Sequence, residues 1–212
     1  MAANGLTLWG MGTVRQLRPH WMLAEMGLDY EYFPVHPRSG ETLKPEFLKI
    51  NPRHKVPVLR HGDMIIAESA AIIQYLSEAF EPPAGMYVPR DAAGRARLNE
   101  WCYFIMSELD ATSLYLIRRH LGLKHIYGEA PRAVEEARKY FSEQLGAIAD
   151  RIGQRGPFLL AEGFSVADIL MITCLDWALN EQIELPAPAA SYRERLAQRP
   201  AYQAACKKAY QN

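Results

Sequence analysis

The chain has 212 residues, 49% of them apolar, which is enough for one large core or two small ones, and two domains are expected. Its 24 Lys and Arg balance 24 Asp and Glu, so no basic surplus draws it to nucleic acid or to an anionic membrane surface, and the expected partner is a small molecule. No run reaches the roughly eighteen apolar residues of a membrane span, and Cys102, Cys174 and Cys206 offer neither a disulfide framework nor a Cys-x-x-Cys pair. The start, Met1-Ala2-Ala3-Asn4, lacks a charged segment followed by a long apolar one, so a soluble, cytoplasmic protein is expected.

Leu6-Thr7-Leu8-Trp9 reads as a short strand ended by Gly10-Met11-Gly12. Leu17, Trp21, Ala24 and Leu28 then form a helical stripe closed by Gly27, and Tyr30 to Val35 alternates like a second strand, which predicts a right-handed β-α-β unit. A polar loop with Pro37, Ser39 and Gly40 leads to one or two helical turns over Pro45 to Ile50. The strand Val56 to Leu59, a turn over Arg60-His61-Gly62-Asp63 and the strand Met64-Ile65-Ile66 predict a hairpin. A helix follows from Glu68 to Phe80, its apolar positions Ile72, Ile73, Leu76 and Phe80 at helical spacing. The order is β-α-β-α-β-β-α over residues 1–81. Pro82, Pro83, Gly85 and Pro89 mark a linker over 82–91, and 92–212 reads as all helix, broken near Gly122, Gly128 to Pro131, Gly153 to Pro157 and Leu185 to Pro188. Within it, Phe164-Ser165-Val166-Ala167-Asp168-Ile169 predicts a capping box at Ser165 and Asp168, stapled by Phe164 and Ile169, at the head of a buried helix.

The stretch that bears most on function is Lys55-Val56-Pro57-Val58-Leu59 with Glu68-Ser69 after it. Pro57 donates no ladder hydrogen bond, so it belongs at a strand's first residue or edge, or in a turn with a cis bond, and nearby backbone is left to pair with a ligand. Glu68-Ser69 opens a helix whose unpaired N–H groups and dipole face whatever precedes it, which suits a carboxylate-bearing peptide.

This combination resembles the cytosolic glutathione transferases: a thioredoxin-like first domain, a Val-Pro strand, a Glu-Ser pair, a proline linker and a helical domain with Ser-x-x-Asp. Leu17-Arg18-Pro19-His20, Glu100 to Leu109 and Arg195 to Pro200 are most similar to the bacterial beta class. The resemblance implies that Val56 pairs its backbone with the cysteinyl unit of glutathione, beside a cis Pro57. Glu68 and Ser69 would hold the γ-glutamyl end, and Lys55 the glycyl carboxylate. It further implies a hydroxyl or cysteine after the first strand that stabilises the glutathione thiolate. Counted back from Gly27, Thr13 stands at the serine position of serine-type members. Aligned on Leu-x-Pro-His, the beta-class cysteine position is Arg15, and the histidine of domain two is replaced by Asp110. Thr13 as hydrogen-bond donor and Arg15 as fixed charge are therefore the two candidates for activation, and a mixed disulfide with glutathione is excluded for want of a nearby cysteine.

The second substrate is expected between the domains, with Met11, Tyr103, Phe104, Met106, Ser107, Tyr115 and Trp177 as wall candidates, since methionine and aromatic rings make adaptable apolar surfaces. His20, His54 and His61 show no ligand spacing, and no metal is expected. The absent serine-cysteine motif argues against the maleylacetoacetate isomerase relatives. The resemblance implies an enzyme that adds glutathione to small apolar electrophiles, with peroxidase activity beside it, built as a homodimer. The alternative is a binding module on the same fold with little catalysis.

Overall fold

The computed structural model describes residues 5–152, 154 and 156–210. Met1 to Asn4, and Gly153 and Arg155 of the expected break at 153–157, lie outside the described residues. The chain divides into two compact units, one formed by the part up to Ala84 together with the part from Gln198 onward, the other by Gly85–Ala197.

In the first unit, β1 (Leu6–Trp9), β2 (Glu31–Phe33), β3 (Val58–His61) and β4 (Met64–Ala67) form one sheet in the order β2-β1-β3-β4. β1 runs parallel to β2 and antiparallel to β3, which returns as β4. Leu6 and Leu8 of β1 point to one face, where Leu17 and Trp21 of α1 (Val14–Glu25) and Ile72, Ile73 and Leu76 of α3 (Ser69–Ala79) are also fully buried. On the other face Trp9 and Val58 pack with Val35 and with Phe47 of α2 (Pro45–Ile50). A central strand covered on both faces has no solvent-facing side chains, and all four residues of β1 are buried.

Three strands differ in their boundaries from the expected ones. β2 stops at Phe33, before Pro34, which cannot donate to a ladder. β3 starts at Val58 rather than Val56 and runs through Arg60 and His61, because Gly62 adopts φ 58 and lets Gly62-Asp63 alone make the turn. β4 correspondingly extends to Ala67. Glu68 is the cap of α3, outside the helix it was expected to open.

The last helix, α10 (Pro200–Tyr210), belongs to the first unit, whereas the helical domain was expected to run to residue 212. It packs along α1: Trp21 and Tyr202 meet edge to face at 4.8 Å, and Arg199 holds both carboxylate oxygens of Glu25 at 2.6 and 2.8 Å. The Lys208 ammonium lies 3.9 Å above the ring of Tyr30, and Gly12 N–H donates to the Ala209 carbonyl at 2.9 Å. Beneath it His20 lies 2.7 Å from the Tyr30 hydroxyl through Nδ1 and 3.5 Å from the Gly10 carbonyl through Nε2. Burial lowers its pKa to about 4, so the ring is neutral at pH 7, and donating from Nε2 while accepting at Nδ1 satisfies both partners.

In the second unit, α4 (Ala92–Phe104) starts at Asp91, whose side chain caps Gly94 N–H at 2.8 Å. It continues into a wider, π-type stretch at Ile105–Leu114, in which the Ser113 hydroxyl donates to the Glu108 carbonyl five residues back and Asp110 is buried. After α5 (Tyr115–Ile117), a second such stretch (Arg118–Gly122) and α6 (Lys124–Tyr127) come α7 (Pro131–Ala149), α8 (Val166–Asn180) and α9 (Ala187–Ala197). The later part of the expected linker is tied down in this unit, since Tyr87 N–H donates to the Phe164 carbonyl and Phe164 N–H to that of Gly85. α8 begins with the capping box: Asp168 accepts from Ser165 N–H at 2.8 Å and from the Ser165 hydroxyl at 3.0 Å. Asp168 also accepts from Leu159 N–H at 2.9 Å and the Tyr192 hydroxyl at 2.7 Å. Burial pushes its carboxyl pKa up against the pull of those donors. No helix among the described residues is long and apolar enough to cross a membrane, and no cluster of His, Cys, Asp and Glu there is placed to hold a metal ion.

Candidate functional site

Three chain segments reach the same end of the first unit's sheet. Val58 pairs with both Trp9 and Ala67, so the residues that flank this row, Gly10 on one side, Pro57 in the middle and Glu68 on the other, are neighbours by register. The Val56–Pro57 peptide is cis. A Cβ on Gly10, at φ 129, would lie 3.0 Å from Val56 Cβ and 3.3 Å from Pro57 Cα, so only glycine lets β1 end this close to the Val-Pro turn.

Ser69 begins α3 and is buried, with Arg18 Nη1 donating to its hydroxyl oxygen at 3.1 Å. The hydroxyl proton of Ser69 is therefore directed elsewhere, and an anion at the head of α3 meets a hydroxyl, the helix N-terminus and the field of a fully buried guanidinium. Beside it Glu68 is held at φ 80, an unusual conformation for a residue with a Cβ, with its side chain 65% exposed. Its carboxylate forms an ion pair with Arg53 at 3.0 Å, leaving the second oxygen to receive an ammonium. Arg18 and Arg53 escaped the sequence reading. The signal for Arg18 was a charge three residues before Trp21, on the helix's apolar side, whereas Arg53 carried none.

Thr13 is the cap residue of α1 and is buried, but its side chain makes no capping bond and donates instead to Gln16 Oε1 at 2.7 Å. Arg15 is half-buried in the first turn of α1 and has interactions of its own. Lys55 is exposed, and its carbonyl accepts from Asn51 Nδ2 at 2.9 Å. Met11 is buried, with its N–H on the Val35 carbonyl.

The other residues expected around a second substrate all lie in the second unit and have unequal surroundings. Tyr103 is 65% exposed. Ser107 donates to the Tyr103 carbonyl at 2.7 Å, one turn back, while Phe104, Met106 and Tyr115 are half-buried. Trp177 is buried, with its indole N–H 3.2 Å from Glu181 and Arg118 over its ring, as a core residue would be.

The family profile described as "Glutathione S-transferase, N-terminal domain" matches residues 4–78. Glutathione S-transferase F14 of Arabidopsis thaliana is 31% identical over 188 residues, covering 84% of this chain and 73% of that protein. Among solved structures, a glutathione transferase of Methylococcus capsulatus superposes with a TM-score of 0.80 at 31% identity over 96% of this chain and 98% of that one. A glutathione transferase of Phanerochaete chrysosporium, solved with oxidized glutathione, has a TM-score of 0.82 at 24% identity over 97% and 96% of the two chains, a likeness of fold.

Proposed function

Because the chain belongs to the glutathione S-transferase family, its first unit being thioredoxin-like and its second helical, we propose that it adds glutathione to small apolar electrophiles at the sheet end described above, as a detoxifying enzyme of the cytoplasm. The observation that carries the reading is the head of α3, where Ser69 rests on Arg18 next to Glu68 and across the row from the cis Val56–Pro57 peptide. The γ-glutamyl carboxylate takes the Ser69 hydroxyl and the first N–H groups of α3, and its ammonium takes Glu68. Val56 meets the cysteinyl backbone as one more strand would, and Lys55 reaches the glycyl carboxylate. The thiolate attacks the electrophile's carbon, and the leaving group departs with the bonding pair, or in an addition the carbon next to it takes a proton. A hydroperoxide would be reduced by two glutathione molecules, giving the alcohol, water and glutathione disulfide. The segments Leu17–His20, Glu100–Leu109 and Arg195–Pro200 support a place near the beta class, with two candidates for activation: Arg15, where that class has its cysteine, and Thr13, where serine-type members have their serine.

Glu68→Ala and Ser69→Ala are each expected to weaken glutathione binding by about 1–3 kcal/mol while the fold survives, since each removes a charge-assisted contact. Titration calorimetry measures this, and unchanged affinity in both variants would remove the site from consideration. The Glu68→Ala loss is expected at the lower end, because Arg53 already occupies one carboxylate oxygen.

The proposed assembly is a two-fold homodimer in which α3 and α4 of each subunit face the other. β4 supports it: this edge strand carries Met64 and Ile65, both more than two-fifths exposed. Light scattering at micromolar concentration is expected to give twice the chain mass, and a monomer that still binds glutathione would refute the assembly.

A further inference from the structure

The first turn of α1 holds a polar side chain to which the proposed chemistry gives no part. Gln16 is 1% exposed, and its Cγ lies 3.0 Å from the point where a Cβ on Gly10 would sit, the same point that is 3.0 Å from Val56 Cβ. Its Oε1 accepts the Thr13 proton at 2.7 Å, while its Nε2, also buried, has no hydrogen-bond partner among the described residues. A buried donor left unpaired is costly and uncommon. The pairing also restrains Thr13: a hydroxyl has one proton, and one held by Gln16 cannot be donated to a thiolate.

We infer that Gln16 is a positioning residue that aims the Thr13 proton, by turning its amide over when the glutathione thiolate arrives. This rests on Thr13 being the thiolate's donor. Half a turn about the Cγ–Cδ bond exchanges two ends of nearly equal shape, so packing offers little resistance. After the turn Nε2–H donates to Thr13 Oγ1, and the Thr13 O–H points at sulfur. One hydrogen bond has become two, the second to an anion, and the unpaired amide N–H groups fall from two to one in exchange for a carbonyl oxygen, which tolerates lack of a partner better than an N–H. No proton changes owner and no covalent bond breaks. The relay Nε2–H to Oγ1–H to sulfur also polarises the hydroxyl, which strengthens its donation.

The test is a titration of the bound glutathione thiolate by its ultraviolet absorbance in Gln16→Glu, Gln16→Met, Thr13→Val and the two double variants. Gln16→Glu has the shape of the amide but no donor, so it retains the Thr13 proton and is expected to raise the bound thiol's pKa by about one unit, a roughly tenfold loss of thiolate at neutral pH. Gln16→Met has neither donor nor acceptor, is expected to raise it by less, and guards against misfolding of the charged variant. Unchanged affinity for S-methylglutathione, which has no thiol, shows that the site is folded. In the Thr13→Val background Gln16→Met is expected to shift nothing, and Gln16→Glu only by the direct effect of its charge. Shifts that persist in full without the Thr13 hydroxyl, or no shift from either Gln16 variant, overturn the role of Gln16 while Thr13 stands. A pKa that Thr13→Val leaves unmoved overturns both.

Discussion

Thr13→Val is expected to raise the pKa of the bound glutathione thiol by about one to two units and to cut turnover at neutral pH by roughly ten- to a hundredfold, with affinity for glutathione little changed. A hydrogen bond to a charged acceptor contributes about 1.5–3 kcal/mol, and one pKa unit is about 1.4 kcal/mol of preference for the thiolate. The sign follows from the donor stabilising only the ionised sulfur, so its loss moves the titration upward and leaves less nucleophile at pH 7. Valine matches threonine in shape, and α1 loses no cap because the Thr13 side chain makes no capping bond. Thr13→Ser is expected to retain activity. If Arg15 supplies the stabilisation instead, Arg15→Leu gives the larger rise and Thr13→Val is nearly silent. Titrating the bound thiolate in both variants separates the two. If neither moves the pKa while turnover persists, a backbone N–H near the start of α1 does the work. If the unmodified protein binds glutathione without turning over any electrophile or hydroperoxide, the binding-module reading takes precedence.

Asp168→Ala is expected to lower stability by on the order of 4 kcal/mol, a large share of the 5–15 kcal/mol typical of a folded protein. Asp168 is fully buried and accepts four hydrogen bonds, from Leu159 N–H, Ser165 N–H, the Ser165 hydroxyl and the Tyr192 hydroxyl. Alanine leaves all four donors in a cavity, where each unsatisfied group costs about 1–3 kcal/mol before relaxation or water recovers part of it. Ser165→Ala removes one donor and a preferred cap residue, and is expected to cost about 0.5–2 kcal/mol. Urea unfolding of both variants measures the difference. A loss below about 1 kcal/mol for Asp168→Ala would show that the donors find other partners, and native stability with abolished glutathione binding in Ser165→Ala would contradict its assignment to folding.

What could be read along the chain was what lies close together in it. The capping box spans three residues, the α3 stripe follows one helical period, and Pro57 declares its own backbone restriction, so each was visible before any tertiary contact was known. The turn at Gly62 was located but drawn too long, because nothing local says whether Arg60 and His61 pair across the sheet. The groups that complete the site were invisible for a related reason: Arg18 meets Ser69 from 51 positions away, and Arg53 reaches Glu68 from 15. Gln16 is the instructive exception. It stands only three residues from Thr13, yet a glutamine in the first turn of a helix ordinarily faces water, and nothing local says that Gly10 and the Val-Pro turn come so close to it.

The hydrogen bond from Gly12 to the Ala209 carbonyl sets an order of events during synthesis. A ribosome delivers the sheet and α1 early, then all of residues 85–197 before the helix that covers α1 and tethers the loop just ahead of Thr13 emerges. A nascent chain stalled anywhere in that interval has the strands of its thioredoxin-like unit but an untied loop, with Trp21 uncovered by Tyr202 and Glu25 still without Arg199. Closing so long a loop is slow compared with local helix and hairpin formation, so the proposed glutathione site is finished among the last parts of the molecule, although most of its residues are translated first.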